Sequence, residues 1–292
     1  MKRTGITTDC VCDLTEEYLR TADVDTMHFY ITTDSGRFRD GYVVTSGNLL
    51  EYLEDGGFMA RTTAPEPQEY KEFFERNLCR FDELVHISFS GEIGTSCESA
   101  LQARELLGED AGRVTIVDSR TLSTGMGHLV MRAVELRDEG REAEEIARAL
   151  RELRGRISTT FITENAEYLF RNGRVSQSVD WLSKMFMIHP VLALRDGKLV
   201  LKSLRVGSYE SAVMRYVRSE LRRGGRIDKK RLFITHAGCT VKTVSAIRSE
   251  AQRLCAFDEV IVTKASATVS GNCGPGTVGV IFVNHARKSS ES

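Results

Sequence analysis

Apolar runs long enough to cross a bilayer are missing: nowhere in the 292 residues does one approach the roughly 20 residues that a spanning helix needs. The start, MKRTGITTDC, carries two basic residues but no apolar stretch of signal-peptide length. The chain is therefore expected to stay in the cytoplasm, without stable membrane insertion. A charge excess is missing as well. Forty basic residues stand against 41 acidic ones, a net charge of -1, so no global field draws the chain onto nucleic acid or an anionic membrane. Paired cysteines are missing too. Cys10, Cys12, Cys79, Cys97, Cys239, Cys255 and Cys273 are odd in number and form no C-x-x-C, which speaks against structural zinc and against a disulfide framework. They read as small buried hydrophobes.

The common signatures of catalysis are also lacking. There is no G-x-x-x-x-G-K-[ST], and no G-x-G-x-x-G follows the first strand, so neither a P-loop nor a dinucleotide fold is indicated. G-x-S-x-G is absent, and no serine adjoins a histidine in sequence. The six histidines, His28, His86, His128, His189, His236 and His285, are scattered without H-E-x-x-H spacing and read as structural. No catalytic residue, metal or cofactor is assigned.

What is there belongs to an ordinary globular protein, with 41% hydrophobic and 28% charged residues and enough length for two domains. Gly5 to Asp9 reads as a strand, followed by a helix opening at Asp13 to Glu17 with an acidic first turn. Val24 to Ile31 is a second strand candidate. Clearer strands are Leu84–Phe89, Arg113–Asp118, Leu232–His236 and Glu259–Thr263, with helical patterns over Thr95–Leu107, Thr124–Glu139, Ser208–Arg222 and Lys242–Leu254. This alternation predicts an α/β architecture with a mostly parallel sheet and helices on its faces, which binds ligands at the carboxyl ends of its strands.

A charge-dense stretch from Glu139 to Arg156, with Ile146, Leu150 and Leu153 at helical spacing, reads as a solvated helix joining two halves. A domain boundary near 155 follows, giving α/β domains over 1–155 and 156–292. Arg195-Asp196-Gly197-Lys198 signals a hairpin.

Hydroxyl-rich strand ends stand out. Arg61 to Pro67 precedes a helix, where a threonine fits an N-cap or turn. Ser88 to Ser96 leaves a strand and enters a helix, so its amides and hydroxyls suit an anion; Asp118 to Gly125 repeats the arrangement. Near the end, Ser270 to Thr277, SGNCGPGT, reads as a glycine-rich loop that runs into a strand and so lacks the helix N-terminus of a phosphate cradle. Each segment singly is also what capping and turns produce; several together point to a small-molecule crevice.

In order, these motifs resemble the DegV family, cytoplasmic two-domain proteins that bind fatty acids. Thr8-Asp9-Cys10-Val11-Cys12-Asp13-Leu14-Thr15 is similar to the family's D-S-x-x-D-L-[PT], and Thr62-Thr63-Ala64-Pro65 to its T-S-Q-P. His86 through Ala100 resembles I-S-S-x-L-S-G-T-Y-x-S-A, and Val117 to Gly127 V-D-S-x-x-x-S-x-G-x-G. Tyr168 to Val175 resembles Y-L-x-x-G-G-R-I, Ile188 to Leu192 I-K-P-I-L, and Gly274-Pro275-Gly276 the closing H-x-G-P-G.

The resemblance implies a non-catalytic carrier. It would hold a long-chain fatty acid with its carboxylate at the domain junction and its acyl chain in an apolar tunnel, and would present it to a separate ATP-dependent fatty acid kinase. Carried over residue by residue, it implies a head-group site at Thr62, Thr63, Gly94, Thr95, Ser96, Arg174 and Asn272. Gly94 stands where the family has serine, and Asn272 where it has histidine, which could become cationic as asparagine cannot. Either neutral donors at Thr95, Ser96 and Asn272 hold a carboxylate, or the pocket has moved toward another lipid head or away from kinase presentation. The rival from another class is an enzyme or binding protein for a small phosphorylated or hydroxylated metabolite.

Overall fold

The computed structural model describes residues 2–56, 60–165, 167–171, 187–222 and 226–286. The chain opens with β1 (Thr4–Asp9), a 3-10 turn at Cys10–Cys12, α1 (Glu16–Thr21) and β2 (Val24–Met27). Helix α1 starts where Thr15 accepts the Tyr18 amide at 3.2 Å, an N-cap followed by two glutamates. Next come β3 (Tyr30–Thr33), β4 (Gly36–Arg39), α2 (Ser46–Glu54), β5 (Arg61–Thr63), α3 (Pro67–Leu78), β6 (Glu83–Ser88), α4 (Ser96–Leu106), β7 (Val114–Asp118), α5 (Thr124–Asp138) and α6 (Ala143–Arg154).

Strands β2-β1-β6-β7 form an all-parallel sheet. Its central strands β1 and β6 are buried along their whole length, as strands covered on both faces must be. Strands β4-β3-β5 make a small antiparallel sheet. The expected single strand Val24–Ile31 is thus two strands in two sheets. The break falls at His28, whose ring bonds Thr26 Oγ1 at 3.0 Å and the Asp40 carbonyl at 2.6 Å and so turns the chain. Thr62 and Thr63, expected in an N-cap or turn, lie instead in β5, and Glu66 is the N-cap residue of α3.

The second part of the chain adds β8 (Ile157–Ile162), α7 (Glu167–Arg171), β9 (Ile188–Arg195), β10 (Lys198–Val206), α8 (Tyr209–Leu221), β11 (Ile227–His236), α9 (Val241–Leu254), β12 (Glu259–Lys264), α10 (Ala267–Cys273) and β13 (Val278–Asn284). The order is β10-β9-β8-β13-β11-β12. Only β11 and β12 pair in parallel; the other four pairings are antiparallel. The α/β class holds, but mostly parallel pairing describes the first sheet alone. The hairpin at Asp196-Gly197 joins β9 to β10 directly, and a direct turn forces antiparallel pairing.

Side-chain alternation sorts the second sheet. Val278, Val280 and Phe282 of β13 pack with Tyr216 and Val217 of α8 and Ile247 of α9, whereas Ile281 packs with Met131 of α5 on the opposite face. Helix α5 touches β1 and β6 on one side and β8 and β13 on the other, so one helix serves as a shared layer. Gly125 permits the approach: a Cβ there would stand 2.3 Å from Thr121 Oγ1 and 2.5 Å from Thr159 Oγ1. The stripe Ile146, Leu150 and Leu153 of α6 is buried with Val85 and Val117 of the first sheet, so the charged helix is a layer of that sheet and not merely a solvated connection. No helix among the described residues is long and apolar enough to cross a membrane.

Candidate functional site

A cavity of about 440 Å³ opens between the two sheets, within the range of small-molecule sites. Thr62 and Thr63 of β5, Gly94 and Thr95 before α4, and Asn272 of α10 line it. Five of the seven residues expected from sequence are therefore brought to one cavity from three separate elements. Ser96 is not among them. It is fully buried at the start of α4, and its hydroxyl donates to Asp9 Oδ2 at 3.0 Å, which turns it off the wall. Arg174 lies outside the described residues.

The polar end centres on Asn272, whose Nδ2 donates to Thr62 Oγ1 at 3.1 Å and to the Thr268 carbonyl at 2.7 Å. Gly94 faces the ring of Phe89, which would sit 3.1 Å from a Cβ at that position. A serine there therefore requires Phe89 to shift. Apolar wall comes from Phe29, Phe89, Leu122, Leu199, Val269 and Ile281, with Phe29 and Phe89 edge to face at 6.1 Å between ring centres.

Threonines on the wall are less polar than their names suggest. Thr159 Oγ1 bonds Thr121 Oγ1 at 2.8 Å, Thr235 Oγ1 bonds Thr124 at 2.7 Å and Thr263 at 2.9 Å, and Thr277 donates to the Cys273 carbonyl at 2.9 Å. Their hydroxyls are engaged within the protein, so they add little polarity to the wall.

The segments that suit an anion already hold carboxylates of the chain itself. Asp9 Oδ2 accepts the Phe89 amide at 2.7 Å as well as Ser96, and Asp118 Oδ1 accepts the Arg120 amide at 2.8 Å and the Gly91 amide at 3.3 Å. At the start of α10, Asp13 accepts the Ser266 amide at 2.8 Å, and Asp40 accepts Ala267 at 3.1 Å and Thr268 at 2.7 Å. Burial pushes Asp13 up to about 7, although Ser123 also donates to it, and it raises Asp40 too. A phosphate at these amides would have to displace a buried carboxylate.

SGNCGPGT is not one loop. Ser270–Cys273 form the last turn of α10, and only Gly274–Thr277 connect it to β13. The helix precedes the loop, so its start, not its end, carries the anion-binding amides. Gly274 has φ 80°, and the Tyr168 ring lies 2.4 Å from where a Cβ would stand, which leaves room only for glycine.

Groups suited to nucleophilic catalysis meet elsewhere and are sealed. His86 Nε2 lies 3.4 Å from Asp9 Oδ1, and Tyr70, Ser88 and Ser96 donate to Asp9. All five side chains are fully buried, beyond reach of a substrate. On the cavity wall, burial and nearby Lys264 lower the pKa of His236, and burial pushes the Cys273 thiol up to about 12, so both stay uncharged near neutrality. Among the described residues no three His, Cys, Asp or Glu side chains gather as a metal site.

Sequence reasoning implied an apolar tunnel but named none of the residues of the apolar wall, and it missed the two aspartates that hold the start of α10. Asp13 stood in a recognisable motif without an assigned role; Asp40 carried no local signal, because its partners lie 227 and 228 residues away.

Comparison with known proteins agrees with this architecture. A DegV domain-containing protein of Caldanaerobacter subterraneus subsp. tengcongensis is 26% identical over 288 residues, covering 97% of this chain and 99% of its own. One from Deinococcus radiodurans is 27% identical over 284 residues, 94% and 96% of the two chains. The solved structure of a DegV family protein from Thermus thermophilus, described as fatty acid binding, superposes with a TM-score of 0.85 at 26% identity, covering 97% of this chain and all of that one. The family model described as an uncharacterised protein of the DegV family matches residues 3–285, and the chain belongs to that family.

Proposed function

We propose that the protein binds a long-chain fatty acid, with the acyl chain in the cavity between the sheets and the carboxylate at Thr62, Thr95 and Asn272. The observation that carries this reading is a single cavity with a largely apolar wall, on which Asn272 Nδ2 holds Thr62 Oγ1 at 3.1 Å. Each buried methylene contributes about 0.8 kcal/mol, so the chain supplies affinity while a few polar groups orient the head. The Thermus thermophilus relative, described as fatty acid binding, supports it. The chain itself performs no chemistry in this reading, consistent with the sealed Asp9–His86 cluster; it hands the exposed carboxylate to a separate ATP-dependent kinase.

Denaturing the purified protein and weighing what it releases tests the binding: a saturated or unsaturated acyl mass is expected. Thr62→Trp should lower retention at least about tenfold, because the indole fills the polar end, while Arg120→Lys on the exposed turn should leave it unchanged. Absence of lipid together with tight binding of ATP or a sugar phosphate would overturn the reading in favour of a phosphorylated metabolite.

A further inference from the structure

Helix α10 is a wall of the cavity built from the second part of the chain but held by the first. Thr268, Val269, Asn272 and Cys273 face the cavity. On the other side, Ser270 Oγ bonds Ser46 Oγ of α2 at 2.6 Å, and a Cβ on Gly271 would meet Leu49 at 3.0 Å. Seven residues are too few for a helix to persist without tertiary contacts.

Its four leading amides all have partners. Ser266 donates to Asp13, Ala267 and Thr268 to the two oxygens of Asp40, and Val269 to Ser266 Oγ at 3.3 Å. Three of these four bonds go to carboxylates more than 220 residues away in sequence, so this helix start is fastened from a distance as well as capped locally by Ser266. Asp40 is itself fixed, since its amide donates to the Phe29 carbonyl at 2.9 Å and its carbonyl meets His28 Nδ1 at 2.6 Å. Phe29 in turn lines the cavity.

We propose that Asp13 and Asp40 are positioning residues of the lipid site: by holding the first turn of α10 from the other half of the molecule, they keep Asn272 on Thr62 and keep the helix closed against the acyl chain. The inference rests on the fatty-acid reading of the cavity. It also sets an order among substitutions. Asp40 uses both oxygens on backbone amides, so Asp40→Asn satisfies one and repels the other, and Asp40→Ala loses both. Asp13 accepts the Ser266 amide through one oxygen, so Asp13→Asn preserves that bond where Asp13→Ala does not.

The test measures dissociation of a fluorescent fatty acid and hydrogen exchange at the Ser270 and Gly274 amides, which bond within α10 and not to either carboxylate. Asp40→Ala should speed dissociation about tenfold or more, since affinity changes of this kind fall on the off-rate. Asp40→Asn should be intermediate and Asp13→Asn close to the unaltered protein. Combining Asp40→Ala with Asn272→Ala should add little to either alone, because both act through one contact. Leu150→Ala, on the buried face of α6, serves as a variant of lowered stability with normal dissociation. Unchanged exchange in Asp40→Ala, additive effects with Asn272→Ala, or equal dissociation in Leu150→Ala would each overturn the clamp. An unaltered protein that takes up no fatty acid would overturn the functional reading instead, and the exchange data would still judge the clamp.

Discussion

The second sheet borders two different cavities. At one end Thr235, Gly279 and Ile281 form apolar wall. At the other, the same strands together with α5 present Arg231, Val283, His128, Arg132 and Glu135 around about 360 Å³. Between them sits a plug of Met131, Phe233 and Ile281, with the His128 ring edge-on to Phe233 at 4.8 Å. At the charged end Glu135 takes Lys230 at 2.8 Å, Arg132 at 3.1 Å and Arg231 at 3.4 Å, while Arg231 also holds Glu259 at 2.7 Å. A ligand entering there has to break ion pairs. At the other end the hydroxyls of Thr159, Thr235 and Thr277 bond within the protein, and an acyl chain there breaks no ion pair. What separates the two cavities is which wall has already bonded its polar groups inward.

The largest effect should come from erasing that difference. Ile281→Asp places an unpaired carboxylate where exposure is 2% and should cost about 4 kcal/mol or more, read as a fall in the urea midpoint, with acyl retention lost. Arg231→Leu, at the charged end, should cost about 1–3 kcal/mol, because Glu259 loses a partner while Glu135 keeps Lys230 and Arg132. Acyl retention should not change, and a loss of lipid in that variant would show that the two cavities are coupled.

Asp13 and His128 should also titrate in opposite senses. Asp13, beside Asp40, Cys12 and Cys273, is raised by burial from 3.8 to about 7. Its contribution to stability is full below the unfolded value and is lost as pH rises through about 7. His128 is lowered by burial from 6.5 to about 4, so its contribution is present above 6.5 and lost as pH falls through about 4. In urea midpoints from pH 4 to 8, Asp13→Asn should flatten the decline toward neutral pH, and His128→Gln the decline toward acid. Parallel profiles for the two variants would contradict this assignment. The smallest effect should follow Gly94→Ser, a shift of under about 1 kcal/mol as Phe89 gives way, seen as less than about a threefold change in acyl dissociation.

Much of the architecture was legible because it is written in short-range pattern. Strands near Gly5, Leu84, Val114 and Glu259 and the helices α4, α5, α8 and α9 begin and end close to where periodicity puts them, while the strand expected from Leu232 begins five residues earlier, at Ile227. The errors share one cause. The split of Val24–Ile31, the mixed second sheet and the helical turn within SGNCGPGT each depend on a partner distant in sequence: Asp40 for His28, β13 for β8 and β11, and Asp13 and Asp40 for the start of α10. Ser96 shows the same limit on a single side chain, since nothing near it in sequence announces Asp9 as its partner.

The sequence alone determined the α/β class, the family resemblance and five of the residues that line the cavity, because hydrophobic period and motif order survive without knowledge of neighbours. Only the tertiary structure decided which polar groups were already bonded. It turned threonines into apolar wall, filled each anion-like loop with the chain's own aspartates and sealed the Asp9–His86 cluster. Hydrogen-bond capacity is a property of an atom and its partner together, and those partners meet only when the chain is folded.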